Sequence, residues 1–180
     1  MYPKDIALFN DLLMDLQKET DRGLALVGAA FLDDRLKLML AAYLRGDPKD
    51  IEQNLLRFEG PLGQAKARLL ACHALGLITD REKREIGLIF EIRNQFSHKT
   101  FTQTFEGTKD DRAVPNKVDQ LTPDLPGDGA PSRRGKMVMS VVEMWMMLWY
   151  RDEWIKRVRT EKSVWQLVEE AQAADRANEN

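Results

Sequence analysis

At 180 residues the chain is long enough to bury one core without disulfide or metal staples, and one domain over 1–180 is the expectation. Its 27 lysines and arginines nearly balance 29 aspartates and glutamates, for a formal net charge of -2, which excludes a whole-chain attraction to nucleic acid. One cysteine, Cys72, excludes an internal disulfide; within the apolar run LLACHALGLI it reads as a buried inert thiol in a reducing compartment.

The opening MYPKDIALFN carries an acid where a secretion signal needs an apolar stretch. The most apolar run, MVMSVVEMWMMLWY, is interrupted by Glu143 and falls short of the roughly 20 residues of a membrane span. A soluble, cytoplasmic protein with no membrane contact is expected.

Helical periodicity runs through almost the whole chain. Ile6, Phe9, Leu13 and Leu16 recur at three- and four-residue steps and define a first helix face. A second helix, GLALVGAAFLDDRLKLMLAAYL, stops at RGDP, where Gly46 ends the turn. Pro48 can open a short third helix, KDIEQNLLRF, because the first helical position needs no backbone donor. In the fourth, Pro61 sits at a first-turn position and Leu62, Leu69, Leu70 and Leu75 supply the apolar face, with Gly76 as its end. Thr79 and Glu82 then form a capping box for the fifth, TDREKREIGLIFEIRNQFSH, with Ile86, Ile89 and either Ile92 or Phe90 inward. FTQTFEG after it reads as a short extended stretch.

From about 107 to 135 the chain holds four of its seven prolines and four of its eleven glycines, which predicts a long irregular loop. One helix, or two broken near Arg151 and Asp152, follows, with Val138, Val141 or Val142, Trp145, and Leu148 or Trp149 as its seam. Residues 175–180, DRANEN, read as a frayed tail. The fold class is therefore all-α: a single-domain antiparallel bundle of about five or six helices with an irregular loop before the C-terminal segment.

The polar residues that carry chemistry gather in EIRNQFSHKT. On a helix, Asn94 and His98 share a face, while Arg93 diverges by roughly 140 degrees from His98 but is long enough to reach back. Arg93 could neutralise a phosphodiester through its planar fork, and His98 could move a proton near neutral pH with Asn94 orienting its ring. Cleavage through the RNA 2'-hydroxyl needs an acid and a base, so two copies of this helix end would have to meet across a two-fold axis.

The RNQFSH element resembles the R-x4-H signature of the HEPN superfamily of helical domains, many of them ribonucleases, although Thr100 stands where modified HEPN toxins place a tyrosine. A longer stretch, GPLGQAKARLLACHALGLI with IRNQFSH and FTQTFE, is similar to the core of the mannitol operon repressor family over roughly 59–106. That resemblance implies a helical regulator of bacterial sugar metabolism that acts through a protein partner. No convincing helix-turn-helix is present, because the second helix of any forced one mixes Asp80, Glu82 and Glu85 with its bases, so sequence-specific DNA binding is not expected. RNA contact stays open through the R-x4-H element.

The structural alternative pairs Arg93 with Asp33 or Asp34 and leaves His98 and Ser97 to cap helix carbonyls. His73 reads as a packed or partly exposed helix residue, since no ligand spacing accompanies it. SRRGK, residues 132–136, reads as solvated loop charge. The Met and Trp residues of MVMSVVEMWMMLWYRDEW exceed one inward stripe, so Met144, Trp145, Met147 and Trp149 are the expected partner interface, and a homodimer through this helix or through the Arg93–His98 end is expected. No metal or cofactor is expected.

Overall fold

The computed structural model describes residues 3–98, 104–108, 111–124, 131–159 and 163–178, leaving aside the side chains of residues 3–9, 12, 98, 175 and 178. Among them there are helices and turns but no strand. The helices are α1 (Pro3–Lys18), α2 (Asp21–Tyr43), α3 (Pro48–Asp50) running into a π-helical turn (Ile51–Leu56), α4 (Ala65–Ala74), α5 (Asp80–His98), α6 (Ala113–Gln120), α7 (Arg133–Leu148), α8 (Arg151–Val158) and α9 (Val164–Asn178).

The long α2 is the axle of the bundle. Thr20 caps it by accepting from the Gly23 amide at 3.0 Å, so the helix starts at Asp21, ahead of the Gly23 that opens the apolar pattern. It then packs on α4, α5, α7 and α8, with α1 along its first half. Its Leu24, Leu32, Leu36 and Leu40 are fully buried, each worth about 2 kcal/mol in transfer terms. Gly28 lets α7 approach: a Cβ there would lie 2.8 Å from Val141 Cγ2.

Three expectations about local structure change. The third helix widens, after Pro48 and its Asp47 cap, into a π turn. Ile51 and Leu56 are both buried, and residues five apart fall near one face only when i→i+5 bonds widen the turn. Pro61 lies in a tight turn ahead of α4 rather than within it, because the Leu62 amide bonds back to Leu55 O at 2.9 Å. Gly63 seals that turn so closely that a Cβ would sit 2.2 Å from Arg57 O and Phe58 O. In α4 it is consequently Arg68, Leu69 and Cys72 that face inward, while Leu70 and Leu75 are exposed.

Residues 107–135 are not wholly irregular: α6 forms within them, with Val114, Pro115 and Val118 buried, and Leu121 just beyond it. A proline in the first turn costs a helix nothing, and these apolar side chains pay for the ordering by packing on α5 and α7. The break before Arg151 is present, α9 continues the C-terminal segment as a third helix, and the supposed tail is helical to Asn178. The all-α bundle expected from the periodicity is present, and α6 and α9 are helices beyond those the sequence marked. Of the FTQTFEG stretch, residues 101–103 lie outside the described residues; Phe105 is buried edge-to-face on Phe96, with ring centroids 5.3 Å apart.

Candidate functional site: the open face of α4 and α5

The capping box at the start of α5 forms as its residue types require. Glu82 accepts from the Thr79 amide at 2.7 Å, and Thr79 Oγ1 accepts from the Glu82 amide at 3.3 Å. The same carboxylate receives both terminal nitrogens of Arg151 from α8, each at 2.7 Å. Burial alone would raise the Glu82 pKa, but the Arg151 and Thr79 hydrogen bonds outweigh it and hold the carboxyl below its ordinary value. Glu85, also fully buried, takes the Thr122 amide and hydroxyl together with Arg84. These charges hold helices together.

The other end of α5 differs. Asp33, one expected partner of Arg93, is instead held by Arg68, whose Nε donates to Oδ1 at 2.8 Å and whose Nη2 donates to Oδ2 at 2.5 Å. Arg68 Nη1 also reaches Leu62 O at 2.8 Å. Asp34 is exposed and, among the described residues, forms no ion pair with Arg93. Arg93 is half-buried without a carboxylate partner among the described residues, and its Nε is buried with no acceptor. Its side chain separates a small cavity of about 160 Å³, formed with Leu26, Ala29, Ala30 and Asp33, from a larger groove. Asn94 is exposed on that groove, and Ser97 Oγ donates to Arg93 O at 3.0 Å. The His98 side chain lies outside the described residues.

The groove runs between α4 and α5 and encloses about 530 Å³. Leu69, Leu70, Leu88 and Phe90 give it an apolar lining, with Gly87 on the α5 side leaving room. Lys66 stands on the α4 wall, and Lys83 and Arg93 on the α5 wall, none of them in an ion pair among the described residues. The acids on the rim are committed: Asp80 to His73 Nε2 at 2.7 Å, and Glu91 to Lys117. An apolar lining under uncommitted positive charge suits an anionic, partly apolar ligand or segment. Neither lysine was singled out from the sequence. A signal was present, since Lys83, Gly87, Glu91 and Asn94 fall near one helix face, away from the Ile86–Ile89 stripe.

The remaining expected site residues are mostly internal. Met144 is fully buried and Trp145 is 7% exposed, so both belong to the core rather than to a surface interface. Trp149 is half-buried, packed at a 42° tilt against Trp145 with ring centroids 4.3 Å apart and covered by Arg35 at 4.7 Å. The reason is that α7 is packed by α1, α2, α5 and α6, which widens its buried stripe. Met147 is exposed beside Met146. SRRGK is likewise no solvated loop. Ser132 caps α7, Arg133 pairs with Asp119 and Glu106, and Arg134 pairs with Asp21 while donating to the Leu16, Gln17 and Glu19 carbonyls that end α1.

Cys72 is buried against Leu36 O, and burial pushes its thiol up to about 12, which leaves it protonated and unreactive. His73 is partly exposed. Among the described residues no three His, Cys, Asp or Glu side chains gather in a metal-sized group, and no helix is long and apolar enough to cross a membrane.

The fold and this face define the molecule as an all-α helical bundle with an open, cation-rimmed groove. It is similar to a chain in the X-ray structure of the MtlR-HPr complex from Escherichia coli, with a TM-score of 0.61 and 22% identity over 79% of this chain and 98% of that one. At that identity the likeness shows a shared fold. No family model matches the sequence, and no curated protein does.

Proposed function

We propose that this chain is a regulator of gene expression that acts by binding another protein, in the manner of the mannitol operon repressor family its sequence resembles, with the α4–α5 groove as its docking surface. The observation that carries the reading is the groove itself: exposed Leu70 and apolar neighbours beneath Lys66, Lys83 and Arg93, all without carboxylate partners among the described residues. Soluble proteins rarely leave such a combination idle. The shared fold with a chain solved in the MtlR-HPr complex supports a small protein of the HPr kind as the partner. Titrating purified HPr into the full chain by calorimetry tests this. Saturable binding that weakens in Lys83→Glu is expected, and no heat at high concentration of both proteins overturns HPr as the partner.

The second reading, a metal-independent ribonuclease using Arg93, Asn94 and His98, is favoured by one observation: a half-buried guanidinium without an acid, beside an exposed amide. RNA incubated with the full chain in EDTA tests it, with His98→Ala as the control. Cutting that vanishes in the variant would establish the enzyme; intact RNA at high protein concentration would remove it. Direct reading of DNA is not part of either proposal, and operator DNA is expected to show no salt-dependent mobility shift with the pure protein.

A further inference from the structure

The glycine in the middle of α5 is not required by the fold. Gly87 has no left-handed φ, and a Cβ on it would meet only Leu69 Cδ2 at 3.7 Å, an ordinary contact. Gly28 is the opposite case, since there the neighbouring helix leaves no room for a methyl. In a helix interior glycine is less favourable than any residue but proline, so one that neither packing nor backbone demands points to something outside the chain. What Gly87 does is hollow the floor of the α4–α5 groove, where it is half-buried.

The groove has a direction. His73 of α4 meets Asp80 of α5 at 2.7 Å, and Leu69 abuts Gly87, so the two helices run antiparallel. Lys83 therefore stands at one end, and Lys66, at the start of α4, stands toward Arg93 and Asn94 at the other. Lys83, Gly87, Phe90 and Asn94 follow at steps of four, three and four on one face of α5, and the span from Lys83 to Asn94 is about 16 Å, or three turns. Cations without ion pairs among the described residues thus mark both ends of a trough whose middle, Leu69, Leu70, Leu88 and Phe90, is apolar.

We infer that the occupant is a single amphipathic helix of the protein partner, about three turns long. A large apolar side chain sits over Gly87, and an acid lies near each end, one facing Lys83 and the other facing Lys66 and Arg93. An extended segment does not suit this trough: its backbone amides would lie against apolar walls, with no strand edge to pair with among the described residues. A helix satisfies its own backbone and needs from the groove only a hollow, an apolar wall and two cationic ends.

This inference rests on the groove being a docking surface, as proposed above, but not on HPr as the ligand. The probe is a fluorescein-labelled synthetic peptide of about four turns, stapled to hold it helical, with a leucine stripe and a glutamate near each end. Fluorescence anisotropy with the full chain is expected to show saturable binding. A peptide of the same composition with both glutamates moved into the middle of the stripe is expected to bind at least about tenfold more weakly, and so is the first peptide to a chain carrying Lys66→Glu with Lys83→Glu. Gly87→Leu, which fills the hollow, is expected to weaken binding by a similar factor, with circular dichroism establishing that each variant is folded. Gly87→Ala is expected to raise the thermal midpoint. A helical peptide that does not bind, that binds no better than its isomer, or that is indifferent to Gly87→Leu or to the double lysine reversal overturns the proposal, as does a Gly87→Ala chain that melts below wild type. The two proposals fail separately: peptide binding as expected without affinity for HPr removes HPr and leaves the helical occupant standing, and HPr binding that weakens in Lys83→Glu while the peptide does not bind removes only the helix.

Discussion

The two ends of α5 carry similar residue types and use them in opposite ways. At its start, Glu82 and Glu85 are buried and every contact is internal: Thr79 and Arg151 for one, Thr122 and Arg84 for the other. Toward its end, Arg93 is paired with no carboxylate among the described residues, the neighbouring Asp33 being held by Arg68, and Asn94 faces a groove. The contrast separates charge that builds the fold from charge left over for a ligand. Burial alone does not make that distinction, since both Glu82 and the Arg93 Nε are withdrawn from water. What separates them is whether a partner of opposite character has been supplied.

Breaking the committed end should have the largest effect. Glu82→Ala removes the helix cap and leaves Arg151 without its acid, at an expected cost on the order of 3 kcal/mol in chemical denaturation. The same contact gives a pH signature. Because the folded Glu82 pKa lies below its ordinary value of 4.5, its contribution is present above that value and is lost as pH falls through the folded pKa. Thermal melts between neutral pH and pH 3 should therefore show a decline that Glu82→Gln flattens.

The central axle offers a control away from both ends. Gly28→Ala would force a methyl against the buried, stiff Val141, and overpacking of this kind is expected to cost about 1–3 kcal/mol, read from the denaturation midpoint. At the uncommitted end the sign should change. Arg93→Met keeps an unbranched side chain out to the position of Nε and deletes a buried donor that has no acceptor, so stability should stay within about 1 kcal/mol of wild type or rise. A loss as large as that of Glu82→Ala would show that Arg93 also belongs to the scaffold and would dissolve the contrast.

The features legible in the sequence were those set by neighbours along the chain. The Thr79–Glu82 box, the stops at Gly46 and Gly76, and the inward stripe of Ile86 and Ile89 with Ile92 or Phe90, both of which are buried, each depend on spacing within one or two turns, and each is present. What required the assembled fold was the matching of distant charges. Asp33 could have met either Arg68 or Arg93 on sequence grounds, and only the placement of α4 gives it to Arg68. SRRGK resembled a free basic patch until α6 and α1 supplied Asp119 and a set of carbonyls. Helix α6 was hidden by its proline-rich surroundings, and Met144 and Trp145 were placed outside because the number of helices packed against α7 is not a local property. The groove itself, a relation between Lys66 and Lys83 on different helices, has no local signature.

The position of α2 in the chain has a consequence for biosynthesis. This helix is synthesised before α4, α5, α7 and α8, which cover most of its length, and before Arg134, whose pairing with Asp21 secures its entry. A nascent polypeptide therefore carries a sticky, leucine-rich rod that stays partly uncovered until those later helices have been made. Until α8 has emerged, protection of that rod falls to whatever attends the growing chain.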